Sequence, residues 1–168
     1  IVPVQTLGKK INFDGFEKLD KKFSLKVIFD SAASHDQNIF QFKKKNNSVF
    51  CFSFNGNKTL TTGAGGMVAT NSKKLAKKIR IYSTVGKKSG NYDYELIGYN
   101  YKMTNIQAAM GIAQIKNLKK ILEKKKRIFQ FYEKNLNYEE NYEKIFDKSN
   151  INWVFALKLK NQIHFKKI

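Results

Sequence analysis

Cysteine is nearly absent from this 168-residue sequence, which contains Cys51 alone. A single cysteine cannot form an internal disulfide, so we expect a reducing compartment, the cytoplasm. The two histidines, His35 and His164, lie far apart along the chain. Their spacing with Cys51 is unlike that of a zinc site, and no metal is therefore expected.

Long apolar runs are missing as well. No segment approaches the roughly 18 consecutive apolar residues of a membrane-spanning helix, and no basic start precedes a short apolar run of the signal type. We therefore expect no contact with a membrane. The apolar content of 42% and the aromatic content of 14% indicate a globular protein with a core. Apolar runs at both ends of the sequence favour a fragment of a longer polypeptide.

Arginine is scarce, although the formal net charge is +19. Of the 32 lysines and arginines, only Arg80 and Arg127 are arginine, whereas surfaces that read DNA bases favour the bidentate guanidinium group. The lysines are also spread over several segments and form no single stripe. Specific nucleic-acid binding is therefore not expected, and a noncatalytic basic binding module is the alternative function.

Helix and strand patterns alternate along the chain. Apolar residues at helical spacing predict helices over residues 14–23, after a cap at Asn71 or Ser72, and over residues 104–128, the longest. Thr104 and Gln107, three residues apart, predict a capping box at the start of that longest helix. Strands are predicted over residues 25–29, 48–54, 66–70 and 153–159. The alternation favours an α/β layer architecture.

The sequence matches neither of two common nucleotide-binding motifs. Residues 56–59 read Gly-Asn-Lys-Thr, as at the end of a P-loop, but no glycine stands five positions before Gly56 or directly before Lys58. The glycines at positions 63, 65 and 66 precede a strand and do not join a strand to a helix, which excludes a Rossmann fingerprint.

Lys58 lies on a predicted tight turn between two strands. Without other context, such a lysine is a surface residue. A lysine that forms an imine, however, needs partial desolvation and an electron sink, commonly pyridoxal 5'-phosphate. That cofactor requires a carboxylate beside its ring nitrogen, and Asp30, at the end of a predicted strand, is of the right type. The alternative for Asp30 is an ordinary aspartate that begins a loop or caps a helix. Ser53 and nearby amides could bind the phosphate.

Four ordered motifs carry a resemblance to a known family. They are Asp-Ser-Ala-Ala from Asp30, Ser-Phe-Asn-Gly-Asn-Lys from Ser53, Gly-Ala-Gly-Gly from Gly63, and Gly-Tyr-Asn-Tyr-Lys-Met-Thr-Asn-Ile-Gln-Ala-Ala from Gly98. In these motifs the chain resembles the DegT/DnrJ/EryC1/StrS sugar aminotransferases. The resemblance implies a fragment of a fold type I enzyme dependent on pyridoxal 5'-phosphate, with an aspartate aminotransferase-like large domain of three α/β/α layers. It also implies transfer of an amino group, usually from glutamate, to a nucleotide-linked keto sugar.

The resemblance implies a role for each matching residue. Lys58 attaches the cofactor covalently and carries the proton in the reaction, and Asp30 pairs with the pyridinium nitrogen. Ser53 contacts the phosphate. Asn100 extends to the phosphate of a neighbouring subunit, which implies a homodimer with a shared site. Ala33 stands beside the cofactor where many members carry His, Gln or Glu, so the contact to the ring hydroxyl is lost or supplied otherwise.

The resemblance also suggests a substrate and a division of the chain. The form Asn-Gly-Asn-Lys is most similar to enzymes that aminate a UDP-linked 4-keto-6-deoxy-N-acetylhexosamine for cell-surface glycans. A dehydratase of the same fold is disfavoured, because such relatives replace this lysine with histidine. Residues 1–146 are predicted to form the carboxyl-terminal part of the cofactor-binding large domain with a long connecting helix, and 147–168 the beginning of the small subdomain. Trp153 is assigned to the core, and His35 is taken as an ordinary surface or partly buried residue without a role.

Overall fold

The computed structural model describes residues 1–35, 48–88, 92–136, 142–145 and 153–160. Its helices are α1 (Phe13–Phe23), α2 (Lys73–Ser83), α3 (Asn105–Lys116) and α4 (Leu118–Asn135), with a short 3₁₀ turn at Thr6–Gly8. Its strands are β1 (Ile28–Asp30), β2 (Val49–Ser53), β3 (Gly66–Thr70), β4 (Tyr142–Lys144) and β5 (Leu157–Leu159). The predicted alternation of helices and strands is confirmed.

The main sheet has the order β1, β2, β3. β1 pairs with β2 in parallel, with Asp30 opposite Cys51, and β2 pairs with β3 in antiparallel fashion, with Ser53 opposite Gly66. The first residues of the chain run along the other edge of β1, where Val4 forms a parallel bridge with Asp30. β1 therefore has hydrogen-bonding neighbours on both sides.

The core lies on the sheet face that carries alternate residues of β2. Phe50 and Phe52 are buried, whereas their neighbours in β2 are partly exposed, as expected for a side-chain period of two. The rings of Phe29 and Phe50 stack with centroids 4.8 Å apart, and Phe13 of α1 meets Phe29 edge-on at 5.0 Å. Burial of each such ring stabilises the fold by about 1.5–3 kcal/mol, so these contacts fix the sheet against its helices.

Three helix starts show how short-range hydrogen bonds decide helix boundaries. α1 begins one residue before Asp14, because the side chain of Asn12 accepts the backbone N–H of Gly15 at 3.0 Å and caps the helix. The capping box predicted at Thr104 is confirmed, since its side chain accepts from the N–H of Gln107 and the Gln107 side chain accepts from the N–H of Thr104. Of the two candidate caps for α2, Ser72 is the one used.

The prediction of a single long helix over residues 104–128 is wrong, because Asn117 separates α3 from α4. Asn117 has φ −98° and ψ 4°, outside the helical range. Its side-chain amide donates to the carbonyl of Ala113 at 3.0 Å, which satisfies an orphan acceptor at the end of α3. The break lets Leu118 enter the core next to Phe50 and its neighbours.

A second, two-stranded sheet joins β4 to β5, with Tyr142 opposite Leu159. β5 is shorter than the strand predicted over residues 153–159, and Trp153 lies outside it. The predicted boundary between residues 146 and 147 lies outside the described residues, so the division into two parts stays a prediction. None of the described helices has the length and apolar character needed to cross a membrane.

Replacement of Gly66 by alanine is expected to destabilise the sheet. A Cβ atom at Gly66 would lie 2.6 Å from the carbonyl oxygen of Phe52, so β3 would have to move away from β2. We expect Gly66→Ala to lower the free energy of unfolding by about 1–3 kcal/mol. Gly56→Ala is the control, because a Cβ there meets nothing closer than 3.7 Å. Urea denaturation followed by circular dichroism measures both, and equal midpoints would contradict this close approach.

Candidate functional site

The carboxyl ends of β1 and β2 form the edge on which the candidate site is built. Asp30 is the last residue of β1, and Ser53 is the last residue of β2. Because Asp30 lies opposite Cys51, Ser53 stands two residues, or about 7 Å, farther along the same edge. In open α/β sheets, ligands bind at the carboxyl ends of parallel strands.

Asp30 is held on three sides and remains partly exposed. Its N–H donates to the carbonyl of Pro3 at 2.9 Å, and its own carbonyl accepts the N–H of Gln5 at 3.0 Å. One carboxylate oxygen accepts the N–H of Ala32 at 3.0 Å. Burial raises the pKa of the Cys51 thiol, and the negative charge of nearby Asp30 raises it further. The carboxylate therefore has a fixed position beside β2.

A buried polar network closes the loop after Asp30. The hydroxyl of Ser31 donates to the side-chain oxygen of Gln5 at 2.6 Å, and the Gln5 amide donates to the hydroxyl of Ser34 at 3.3 Å. All three residues are buried. Buried polar groups that satisfy one another rigidify the segment they join. Gln5 was missed in the sequence, where no motif marks it.

Lys58 lies on a turn that folds back onto the end of β2. The N–H of Phe54 donates to Gly65 at 2.9 Å, and the carbonyl of Phe54 accepts the N–H of Thr62 at 3.0 Å. Within the turn, the N–H of Lys58 donates to the carbonyl of Asn55 at 3.0 Å. The lysine is therefore attached to the same sheet edge as Ser53, five residues later in the chain.

The side chain of Lys58 is half-buried and lies against an aromatic ring. Its ammonium nitrogen is 3.8 Å from the centre of the Trp153 ring, and the indole N–H donates to the carbonyl of Asn57 at 2.8 Å. Trp153 is partly exposed, so its assignment to the core was wrong. Lys58 thus has two of the properties expected of an imine-forming lysine, partial desolvation and a fixed direction.

His35 is almost completely buried, with 1% of its surface exposed, so the expectation of a surface or partly buried residue was wrong. Its Nε2 atom is 2.6 Å from the carbonyl oxygen of Ser53, and since a carbonyl only accepts, Nε2 carries the proton. Burial lowers the pKa of His35, the bond to Ser53 opposes that effect, and the charges of Lys58 and Lys125 lower the pKa further. The neutral ring therefore supports the backbone at the end of β2, within the electrostatic influence of Lys58.

Asn100 and Ala33 occupy different surroundings. Ala33 is partly exposed in the turn that follows Asp30. Asn100 is exposed and forms an isolated bridge with Thr84, on the segment that leads to α3. Its neighbours Tyr99 and Tyr101 stack with ring centroids 5.1 Å apart and are more than half exposed. This segment therefore presents polar and aromatic groups outward.

The groups at the sheet edge fit pyridoxal 5'-phosphate by their chemistry. A partly exposed carboxylate suits a protonated ring nitrogen, a serine hydroxyl with turn amides suits a phosphate, and a half-buried lysine suits an aldehyde. No group of three or more metal-ligating side chains occurs within the described ranges. The individual roles of Lys58, Asp30, Ser53, Ala33 and Asn100 remain predictions.

Comparison with known proteins gives a consistent result. The model of the DegT/DnrJ/EryC1/StrS aminotransferase family matches residues 1–167. GDP-perosamine synthase of Caulobacter vibrioides is 37% identical over 139 residues, which are 81% of this chain and 37% of that protein. UDP-4-amino-4,6-dideoxy-N-acetyl-beta-L-altrosamine transaminase of Campylobacter jejuni is 35% identical over 141 residues, 80% of this chain and 36% of that protein.

A solved structure shows the same fold. PseC of Helicobacter pylori, an aminotransferase of pseudoaminic acid biosynthesis, matches with a TM-score of 0.81 at 24% identity. The match covers 99% of this chain and 46% of that chain, so the chain spans less than half the length of the proteins it resembles. The predicted fold, part of a fold type I α/β enzyme, is confirmed.

The lowered pKa of His35 is expected to make stability depend on pH. An unfolded histidine binds a proton below about pH 6.5, whereas buried His35 binds one only at lower pH. The unfolded state therefore binds more protons just below that pH, and the free energy of unfolding falls as the solution is acidified through this window. We expect His35→Gln, which keeps a donor toward Ser53, to reduce this fall.

Urea midpoints between about pH 5 and pH 8 for the original protein and for His35→Gln measure this dependence. Identical pH profiles for the two proteins would contradict a neutral, buried His35.

Proposed function

The chain belongs to the DegT/DnrJ/EryC1/StrS aminotransferase family, and we propose that it provides the lysine-bearing part of a nucleotide-sugar aminotransferase. The family predicted from the four ordered motifs is thereby confirmed. Enzymes of this family depend on pyridoxal 5'-phosphate. Because the chain spans only part of its relatives, the activity of the whole protein, its substrates and its assembly all belong to the proposal.

The environment of Lys58 is the observation that carries the proposal. The lysine is half-buried, its ammonium group is directed by Trp153, and its turn is bonded to the end of β2. Ser53 ends the same strand, and Asp30 ends the neighbouring parallel strand. A surface lysine in an ordinary hairpin would need none of these contacts.

Each residue would perform a separate task in the reaction. When bound, pyridoxal 5'-phosphate supplies the electron sink for chemistry at the carbon that bears the amino group. The Nζ atom of Lys58 would hold the cofactor and would accept and return a proton. The carboxylate of Asp30 keeps the ring nitrogen protonated, because a nearby negative charge favours the cationic form. The hydroxyl of Ser53 and the amides of its turn orient the phosphate.

Ala33 and Asn100 complete the proposed site in different ways. Ala33 offers no polar side chain, so a contact to the ring hydroxyl would be lost or supplied by another residue. Asn100 is exposed on its segment and would extend into the site of a second subunit. We therefore include a homodimer with shared sites in the proposal, supported by the exposed, stacked pair Tyr99 and Tyr101 beside Asn100.

The proposed substrate is a UDP-linked 4-keto-6-deoxy-N-acetylhexosamine, with glutamate as the amino donor, in the synthesis of cell-surface glycans. The motif Asn-Gly-Asn-Lys and the transaminase of Campylobacter jejuni, which is named for a UDP-linked amino sugar, support this choice. The relative from Caulobacter vibrioides is named for a GDP-linked sugar, so the nucleotide is the feature to test. The free, partly buried Cys51 agrees with a reducing compartment, the cytoplasm.

Covalent trapping tests the role of Lys58. The longest natural polypeptide that contains these residues is incubated with pyridoxal 5'-phosphate, reduced with borohydride and digested for peptide mass spectrometry. We expect the adduct on Lys58, and we expect Lys58→Ala to abolish it because the labelled amine is then missing. Lys77→Ala, an exposed residue of α2, is the control and should label normally. An undiminished adduct in Lys58→Ala would refute the assignment.

A transamination assay tests the substrate. The same polypeptide is supplied with glutamate and either a UDP-linked 4-keto-6-deoxy-N-acetylhexosamine or a GDP-linked 4-keto-6-deoxyhexose, and 2-oxoglutarate is measured. We expect turnover with the UDP-linked sugar at a specificity constant at least about tenfold higher, since a bound nucleotide contributes several directed hydrogen bonds. A preference for the GDP-linked sugar would overturn the proposal that the nucleotide is UDP. Salt-dependent DNA binding without turnover would favour the alternative function, a noncatalytic basic binding module.

A further inference from the structure

Trp153 contacts the turn of Lys58 at two points. The face of its ring receives the lysine ammonium, with Nζ 3.8 Å from the ring centre. Its indole N–H donates to the carbonyl of Asn57, the residue before Lys58, at 2.8 Å. A single side chain therefore fixes both the backbone of the turn and the charged end of the lysine.

The backbone of Trp153 is itself fixed from two directions. Its N–H donates to the carbonyl of Leu7 at 3.0 Å, and its carbonyl accepts the Nζ of Lys125 on α4 at 2.6 Å. Leu7 has φ 56° and ψ 17°, a left-handed conformation that is uncommon for a residue with a side chain. These bonds join the start of the chain and α4 to Trp153, so the indole has a defined place beside the lysine.

The packing of this segment against α4 does not require Trp153 to contact the turn of Lys58. Phe155, two residues after Trp153, already attaches the segment to α4, with ring centroids 5.3 Å from Phe129 and 5.0 Å from Tyr132. Trp153 is partly exposed, and its polar contact and its ring face are directed at the turn of Lys58. The two aromatic residues of this segment therefore have separable roles.

We propose that Trp153 is a positioning residue for Lys58: its ring face and its N–H hold the ammonium group and the turn in the direction from which the lysine attaches the cofactor. This inference rests on the proposed function of Lys58. A lysine side chain has four rotatable bonds and adopts many directions in water, and a ring face that attracts the ammonium group selects one of them. The ring also limits the water that reaches this side of Nζ.

The contact between Lys58 and Trp153 can be detected by tryptophan fluorescence without cofactor, because Trp153 is the only tryptophan among these 168 residues. The emission spectrum of Trp153→Phe, subtracted from that of the original protein, isolates Trp153 even in a longer polypeptide. We expect Lys58→Met, which removes the charge but keeps the length, to shift this emission. Lys119→Met, exposed on α4, is the control and should leave the emission unchanged. An emission that does not respond to Lys58→Met would overturn the inference.

The functional consequence is measured as the rate of borohydride-trappable labelling of Lys58 by pyridoxal 5'-phosphate. We expect Trp153→Leu to slow labelling about tenfold, the factor for loss of one partly desolvated cation–π contact, and Trp153→Phe, which keeps a ring face, to lie between. Phe155→Leu removes a neighbouring aromatic ring that packs against Phe129 and Tyr132 of α4, and it should change the rate less than about twofold.

The two proposals fail in distinguishable ways. If the original protein is not labelled at Lys58, the proposed function is overturned, and the emission measurement still decides whether Trp153 holds the lysine. If the original protein is labelled and Trp153→Leu is labelled equally fast, only the positioning role is overturned. Should Trp153→Leu not fold, as judged by circular dichroism, the comparison of Trp153→Phe with Phe155→Leu decides the question.

Discussion

The parallel pairing of β1 with β2 is the constraint on which the candidate site depends. The register that places Asp30 opposite Cys51 brings the ends of both strands to one edge, with Ser53 just beyond. A shift of β1 by one residue relative to β2 would turn Asp30 to the opposite face of the sheet and would remove Phe29 from the core. The stacking of Phe29 on Phe50 therefore fixes the register, and the core determines the position of the polar edge.

Polar contacts between distant segments then complete this edge. Gln5 closes the loop after Asp30, His35 supports the carbonyl of Ser53, and Trp153 holds Lys58. Each supporting residue comes from a different part of the chain. Gln5 and His35 are buried, which makes their contacts consequential, because an unpaired polar group in the interior costs about 1–3 kcal/mol. The site is therefore an outcome of the whole fold and does not arise from the turn of Lys58 alone.

Local structure could be predicted where both partners lie within a few residues. The capping box of Thr104 and Gln107 is such a case. The prediction was wrong at Asn117, because the helical spacing of apolar residues continues across the break. A single asparagine within that spacing does not predict the end of a helix. The start of α1 was misplaced for a similar reason, since Asn12 and Asp14 are both good caps and the structure uses the first.

The sequence by itself determined the family and the candidate residues Lys58, Asp30 and Ser53, because the chemistry requires particular side chains within short, ordered motifs. It could not reveal His35 or Trp153. His35 bonds to a residue 18 positions away, and Trp153 bonds to one 96 positions away. Neither contact leaves a periodic or local pattern, since both depend on how the sheet, α4 and the start of the chain come together. Only the tertiary structure decided which side chains support the lysine.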